Sequence, residues 1–176
     1  MRKRLAAIAL VVALTGCGGR IQNKVSEDEY DVYAEWTKVH FAKNPPSNLY
    51  IGSRTFVFDP LKTDGCGNAI HDKAGVPWTL ITQLHALGEA EYWLPDVYSP
   101  TKLHIPWSYK LVDDWRLVSQ EPGLYQLVGF SRVAFDVAHS KALFAVSDTS
   151  GGGGAVYAYK KNGAWVFESG GCNWVY

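Results

Sequence analysis

The sequence has little sulfur and no concentration of positive charge. It holds three cysteines and one methionine, and beyond Arg2, Lys3 and Arg4 its basic residues are scattered. A nucleic-acid interface needs a basic footprint, so no nucleic-acid partner is expected. No apolar run approaches the roughly 20 residues that cross a hydrocarbon core; the longest, Leu5–Leu14, is half that length. The four glycines Gly151 to Gly154 lead into Ala155-Val156-Tyr157-Ala158-Tyr159 without Gly-Lys-Ser/Thr. They therefore lack the strand, loop and helix succession that cradles phosphate. Gly129-Phe130-Ser131-Arg132 lacks the second glycine of a nucleophile elbow. His85 and Glu89 stand four apart on an expected helix, yet no third ligand has diagnostic spacing. No cofactor, metal or catalytic residue is expected.

The first residues are informative. Arg2, Lys3 and Arg4 precede the apolar run, and small residues follow it. That is the pattern of an export signal rather than a structural helix. Leu14-Thr15-Gly16-Cys17 resembles the lipobox of bacterial lipoproteins. The resemblance implies a signal peptide over 1–16, acylation of Cys17 (palmitate included) and a short tether over 17–25. A single domain over 26–176 would then be held at the membrane by its lipid. Gly18, in place of the aspartate that marks inner-membrane retention, implies an outer-membrane address facing the periplasm. Without Arg2, Lys3 and Arg4 the chain keeps 14 basic against 17 acidic residues, a net charge near −3.

With Cys17 acylated, Cys66 and Cys172 remain as an even pair in a compartment that permits disulfides. Both lie in glycine-flanked, turn-like contexts, and a bond between them is favoured. The alternatives are two buried thiols, or a reactive Cys66 beside Asp64, His71 and Asp72.

Ser26 followed by Glu29 matches a capping box, so a helix is expected through residues 29–43, ending before Asn44-Pro45-Pro46. A strand is expected over 49–59, a long loop over 60–76, and a second helix from Pro77. Leu103, Ile105, Trp107, Tyr109 and Leu111 alternate with polar residues or proline, a strand signal, with Pro106 demanding an edge or a bulge. Downstream, apolar runs separated by turn residues predict a meander, and Asn162-Gly163 predicts a type I′ hairpin. Helices early and strands late predict an α+β fold, with the helices on one face of an antiparallel sheet. Gly151–Gly154 is read as a slack connection between two strands, with poorly protected amides.

Ser131-Arg132-Val133, Phe135-Asp136, Ala142-Leu143, Gly154 and Lys160 to Trp165 resemble a pattern in uncharacterised secreted and lipid-anchored bacterial proteins. That resemblance implies no activity and no catalytic residue. Arg132, a charge among apolar neighbours, is expected to point to solvent or to pair with Asp136 or Asp148, an ion pair being favoured over ligand recognition. Asp113-Asp114 and Glu89/Glu91 read as solvated turn acids. Trp107, Tyr109, Trp165 and Trp174 are expected to pack in the core, and Tyr92-Trp93 is the pair to look to for an exposed platform. The expectation for function is a non-catalytic, membrane-anchored domain of the bacterial cell envelope that binds a protein or small ligand. The alternatives are a glycan- or peptidoglycan-contacting module and an enzyme with a dispersed, motif-free site.

Overall fold

The computed structural model of the chain describes residues 25–88, 91, 94, 103–113, 126–148 and 152–175. Cys17, residues 1–24 as a whole, Glu89, Tyr92, Trp93 and Asp114 lie outside them. Helix α1 spans Glu27–Phe41 and starts on the expected capping box. The Glu29 amide donates to Ser26 Oγ at 3.3 Å, and the Ser26 amide donates to Glu29 Oε2 at 2.9 Å. The helix buries Val32, Tyr33, Trp36 and Phe41, a broad apolar face spanning about half its circumference.

Among the described residues the sheet has seven strands: β1 (Leu49–Gly52), β2 (Tyr109–Val112), β3 (Leu127–Phe130), β4 (Ala134–Phe135), β5 (Lys141–Asp148), β6 (Gly152–Lys161) and β7 (Ala164–Val175). Their order is β2-β1-β3-β5-β6-β7, with β4 also on β5. The fold is α+β, with helices before the C-terminal strands. The pairings from β3 onward are antiparallel, but β1 is parallel to both β2 and β3, so the sheet is mixed. Between β1 and β2 the chain forms α2 (Cys66–Ala74) and α3 (Trp78–Leu87). A parallel pair needs such a crossover.

This crossover also corrects the placement of the helices. Ala142, Phe144 and Val146 of β5 pack in one core with α1, while Leu143 and Ala145 pack in another with α2 and α3. Alternate residues of a strand face opposite sides. Helices therefore cover both faces, not one.

Two stretches depart from the expected elements. Residues 60–76 are not one loop: α2 occupies half of them, with Gly65 and Gly75 flanking it in left-handed conformation. Strand β1 stops at Gly52, and Phe56 and Phe58 leave the sheet to join the α2/α3 core. The 103–111 alternation survives as alternating burial, with Ile105, Trp107, Tyr109 and Leu111 packed against the α1 core. Only its end pairs as β2, which lies at the sheet edge as Pro106 requires.

Arg132 is held by neither expected partner. Its Nε and Nη2 donate to Glu29 at 2.6 and 3.0 Å, from a helix 103 residues earlier. Glu29 Oε1 also accepts from the Val133 amide at 3.0 Å, and Tyr33 Oη donates to the Ser131 carbonyl at 2.6 Å. The capping glutamate thus both starts α1 and docks it on the 131–133 segment.

Gly151 lies outside the described residues, but Gly152 to Gly154 are strand rather than slack loop. Gly153 and Gly154 sit inside β6, opposite Ser147 and Val146 on one side and Trp174 and Asn173 on the other. A Cβ on Gly153 would lie 2.5 Å from the Trp174 ring, and one on Gly154 would enter the Asn173 amide. These glycines let two β7 side chains lie flat across β6, one on each face. Gly153→Ala is expected to lower stability by about 1–3 kcal/mol through overpacking, read from its chemical unfolding midpoint. Slow amide exchange at Gly153 and Gly154 is expected alongside it; fast exchange there would restore the slack-loop reading.

Asn162 and Gly163 have φ of 54° and 82°, as the expected type I′ turn requires. On β7 the register shifts opposite Ala155, because Gly154 faces Asn173 but Val156 faces Ser169. This bulge lies against α2, where Cys172 is bonded to Cys66 with Cα atoms 5.3 Å apart.

Candidate functional site

The reactive groups the sequence singles out are spread over the molecule and engaged in structure. Cys66 is bonded to Cys172, so it is not a free nucleophile. Ser131 Oγ accepts from the Ala145 amide and donates to the Arg132 carbonyl, both at 2.8 Å. His71 Nδ1 lies 2.9 Å from the Val76 carbonyl oxygen, and His85 Nδ1 lies 2.8 Å from Asp59 Oδ1. Asp113 accepts from the Ser53 hydroxyl. Among the described residues no three His, Cys, Asp or Glu side chains converge as metal ligands. Trp174 stacks on Phe58 with ring centroids 5.2 Å apart, and Trp165 packs on the α1 core with Lys160 Nζ 4.9 Å above its ring.

Burial pushes the Asp59 carboxyl up, but hydrogen bonds from His85 and the Leu61 and Lys62 amides outweigh it and hold the group below its ordinary 3.8. Asp136 is lowered in the same way, where donors from Ser140 and Lys141 overcome its desolvation. A carboxyl depressed by folding stabilises the fold above its unfolded value, and that contribution disappears as pH falls through the folded value. Thermal stability should therefore hold from pH 7 to about 5 and drop below about pH 4. A melting temperature unchanged down to pH 2.5 would count against this assignment.

What the sequence did not reveal is a cleft of about 680 Å³ on the α1 face, at the C-terminal end of that helix. Trp36, Val39, His40 and Phe41 form the α1 side. The floor comes from the ends of β3, β5, β6 and β7, with Val128, Val146, Val156 and Phe167 supplying apolar surface. Gln126, Asp148, Ser169 and Asn173 add polar groups. Gly154 contributes by absence, since Asn173 occupies the space a side chain there would fill. The long-range pairing of β5, β6 and β7 builds this floor, so no local motif announces it.

The His40 ring stacks on Trp36 with centroids 4.4 Å apart and planes 15° from parallel. Partial burial lowers the His40 pKa below 6.5, and the nearby Asp148 carboxylate only partly offsets this. The imidazole is therefore mostly neutral at pH 7. Gln126 Oε1 is buried without a hydrogen-bond donor. The α1 C-terminus adds its partial negative charge beside this acceptor. Such a cleft suits a ligand with an apolar body and several N–H or O–H groups.

No protein-family model matches the chain, and neither a curated protein nor a solved structure does.

Proposed function

We propose that the chain is a lipid-anchored domain of the bacterial cell envelope that binds a small molecule in the cleft at the C-terminal end of α1, without catalysing its conversion. The observation that carries this reading is the cleft itself: an apolar floor, a neutral aromatic stack and the unpartnered Gln126 Oε1 in one concavity. Ligand pockets combine apolar walls with a few placed polar groups in this way. The non-catalytic part of the proposal is supported by Cys66, Ser131, His71 and His85, which are engaged in structural bonds away from the cleft. Anchoring at Cys17 is supported by the lipobox resemblance; palmitate labelling of the wild type but not of Cys17→Ser is the expected result, and labelling of both would contradict it.

A glycan fragment is a second occupant that the cleft favours, because sugars present an apolar face and a hydroxyl edge to match Phe167 and Gln126, Ser169 and Asn173. Thermal unfolding against soluble cell-wall fragments and against small amines separates the two. A ligand at one hundred times its Kd adds about 2.7 kcal/mol of stability, an upward shift of several degrees. The shift should disappear in Val156→Trp, which fills the floor. Equal binding by that variant, or recovery of a protein partner whose crosslinks avoid the cleft, would overturn the proposal.

A further inference from the structure

Lysines scattered in sequence are brought together by the fold. Lys141 begins β5, Lys160 and Lys161 end β6, and all three are exposed at one end of the sheet. The two turns there are joined, since the Lys160 amide donates to the Ser140 carbonyl at 2.8 Å. Val137, on the turn between β4 and β5, is fully exposed. The first turn of α1 meets the same place, where His139 Nδ1 lies 2.9 Å from Asp28 Oδ2. The tether must therefore reach the domain at this end.

We infer that this end, with Val137, Lys141, Lys160 and Lys161, rests on an anionic lipid surface. The inference depends on the anchor at Cys17. Eight residues, Gly18–Val25, separate that cysteine from the helix cap; fully extended they reach only about 27 Å, so the face cannot leave the membrane by much. These residues include Arg20 and Lys24 and no acid. Of the acids nearby, Asp28 faces His139, and Asp136 is turned inward onto Ser140 and the Lys141 amide. Glu29 is paired with Arg132, and Glu27 also belongs to the first turn of α1. Each lysine near an anionic leaflet strengthens association roughly fivefold, and its methylenes extend so that the ammonium stays among headgroups. The Val137 side chain enters the interface between them. Helix α1 then spaces the ligand cleft from the membrane by about its own length, roughly 22 Å for 15 residues.

The test uses the full acylated chain in vesicles of zwitterionic lipid with or without phosphatidylglycerol. A fluorophore is placed at Val137→Cys, and in a separate protein at Val175→Cys, exposed at the opposite end of the sheet. Flotation reports the anchor, and quenching by brominated lipid reports the docked face. In phosphatidylglycerol vesicles, quenching at 137 should exceed that at 175 several-fold. Adding Lys141→Glu and Lys161→Glu should bring it down to the level at 175, with the melting temperature unchanged. A chain that floats but shows equal quenching at both sites, or quenching indifferent to lipid charge, overturns the docking face alone. A chain that carries no acyl group and does not float overturns the anchor and the docking face together.

Discussion

Glu29→Ala is expected to destabilise the domain by about 3–5 kcal/mol, the cost typical of removing one partner from a buried ion pair. The Glu29 side chain is 2% exposed and that of Arg132 12%, so the stranded guanidinium would have little access to water. Alanine also removes the reciprocal half of the capping box and the acceptor for the Val133 amide. Glu29→Gln separates these contributions, because glutamine can still cap the helix but cannot neutralise Arg132. If the uncompensated charge dominates, Glu29→Gln should lose most of what Glu29→Ala loses. Glu29→Gln combined with Arg132→Met should then regain a large part of it. Urea unfolding of the wild type, Glu29→Gln, Arg132→Met and the double variant completes the cycle. A loss below about 1 kcal/mol in Glu29→Ala would match an exposed surface pair instead.

The second large effect concerns the bond between Cys66 and Cys172. They are 106 residues apart, and chain-entropy arguments give a loop of about 100 residues roughly 4–5 kcal/mol. Cys66→Ser with Cys172→Ser, or reduction of the wild type, should lower the unfolding midpoint by that order. The strand being released carries Phe167, Ser169 and Asn173, so ligand binding in the cleft should weaken in the same variant. If midpoint and binding both stay unchanged, the bulged β7 holds its place without the crosslink.

Local signals in the sequence were read well where the structure uses them locally. Ser26 and Glu29 marked the start of α1, Asn162-Gly163 marked its turn, and the late strands marked an antiparallel meander within an α+β fold. The disulfide was legible from cysteine parity and context. Parallel insertion of β1 between β2 and β3 was not, because β1 and β2 are joined through two helices and carry no mark of which strand they will meet. Helix α2 escaped notice because its glycines looked like loop residues, although Gly65 and Gly75 serve as its two ends. Arg132 signals the need for an anion, but its partner Glu29 lies 103 residues away, a separation that no local spacing marks. The glycine run misled for a related reason. Its composition suits a slack loop, and only the placement of Trp174 and Asn173 shows why side chains are excluded. The cleft was illegible throughout, since it is the uncovered part of four strands beyond the end of one helix.

The position of β7 has a consequence for the order in which the molecule can be made. The strand at the edge next to β6, one of the two bonded cysteines and the two side chains laid across β6 all belong to β7, Ala164–Val175, far downstream of α2. A nascent or partly threaded chain lacks them, and α2 has nothing to be bonded to until they arrive. Cys66 cannot form its native bond until Cys172, 106 residues later, has been made. The unfinished chain is thereby kept from locking its native shape early, at the expense of an open β6 edge that could pair with another unfinished chain.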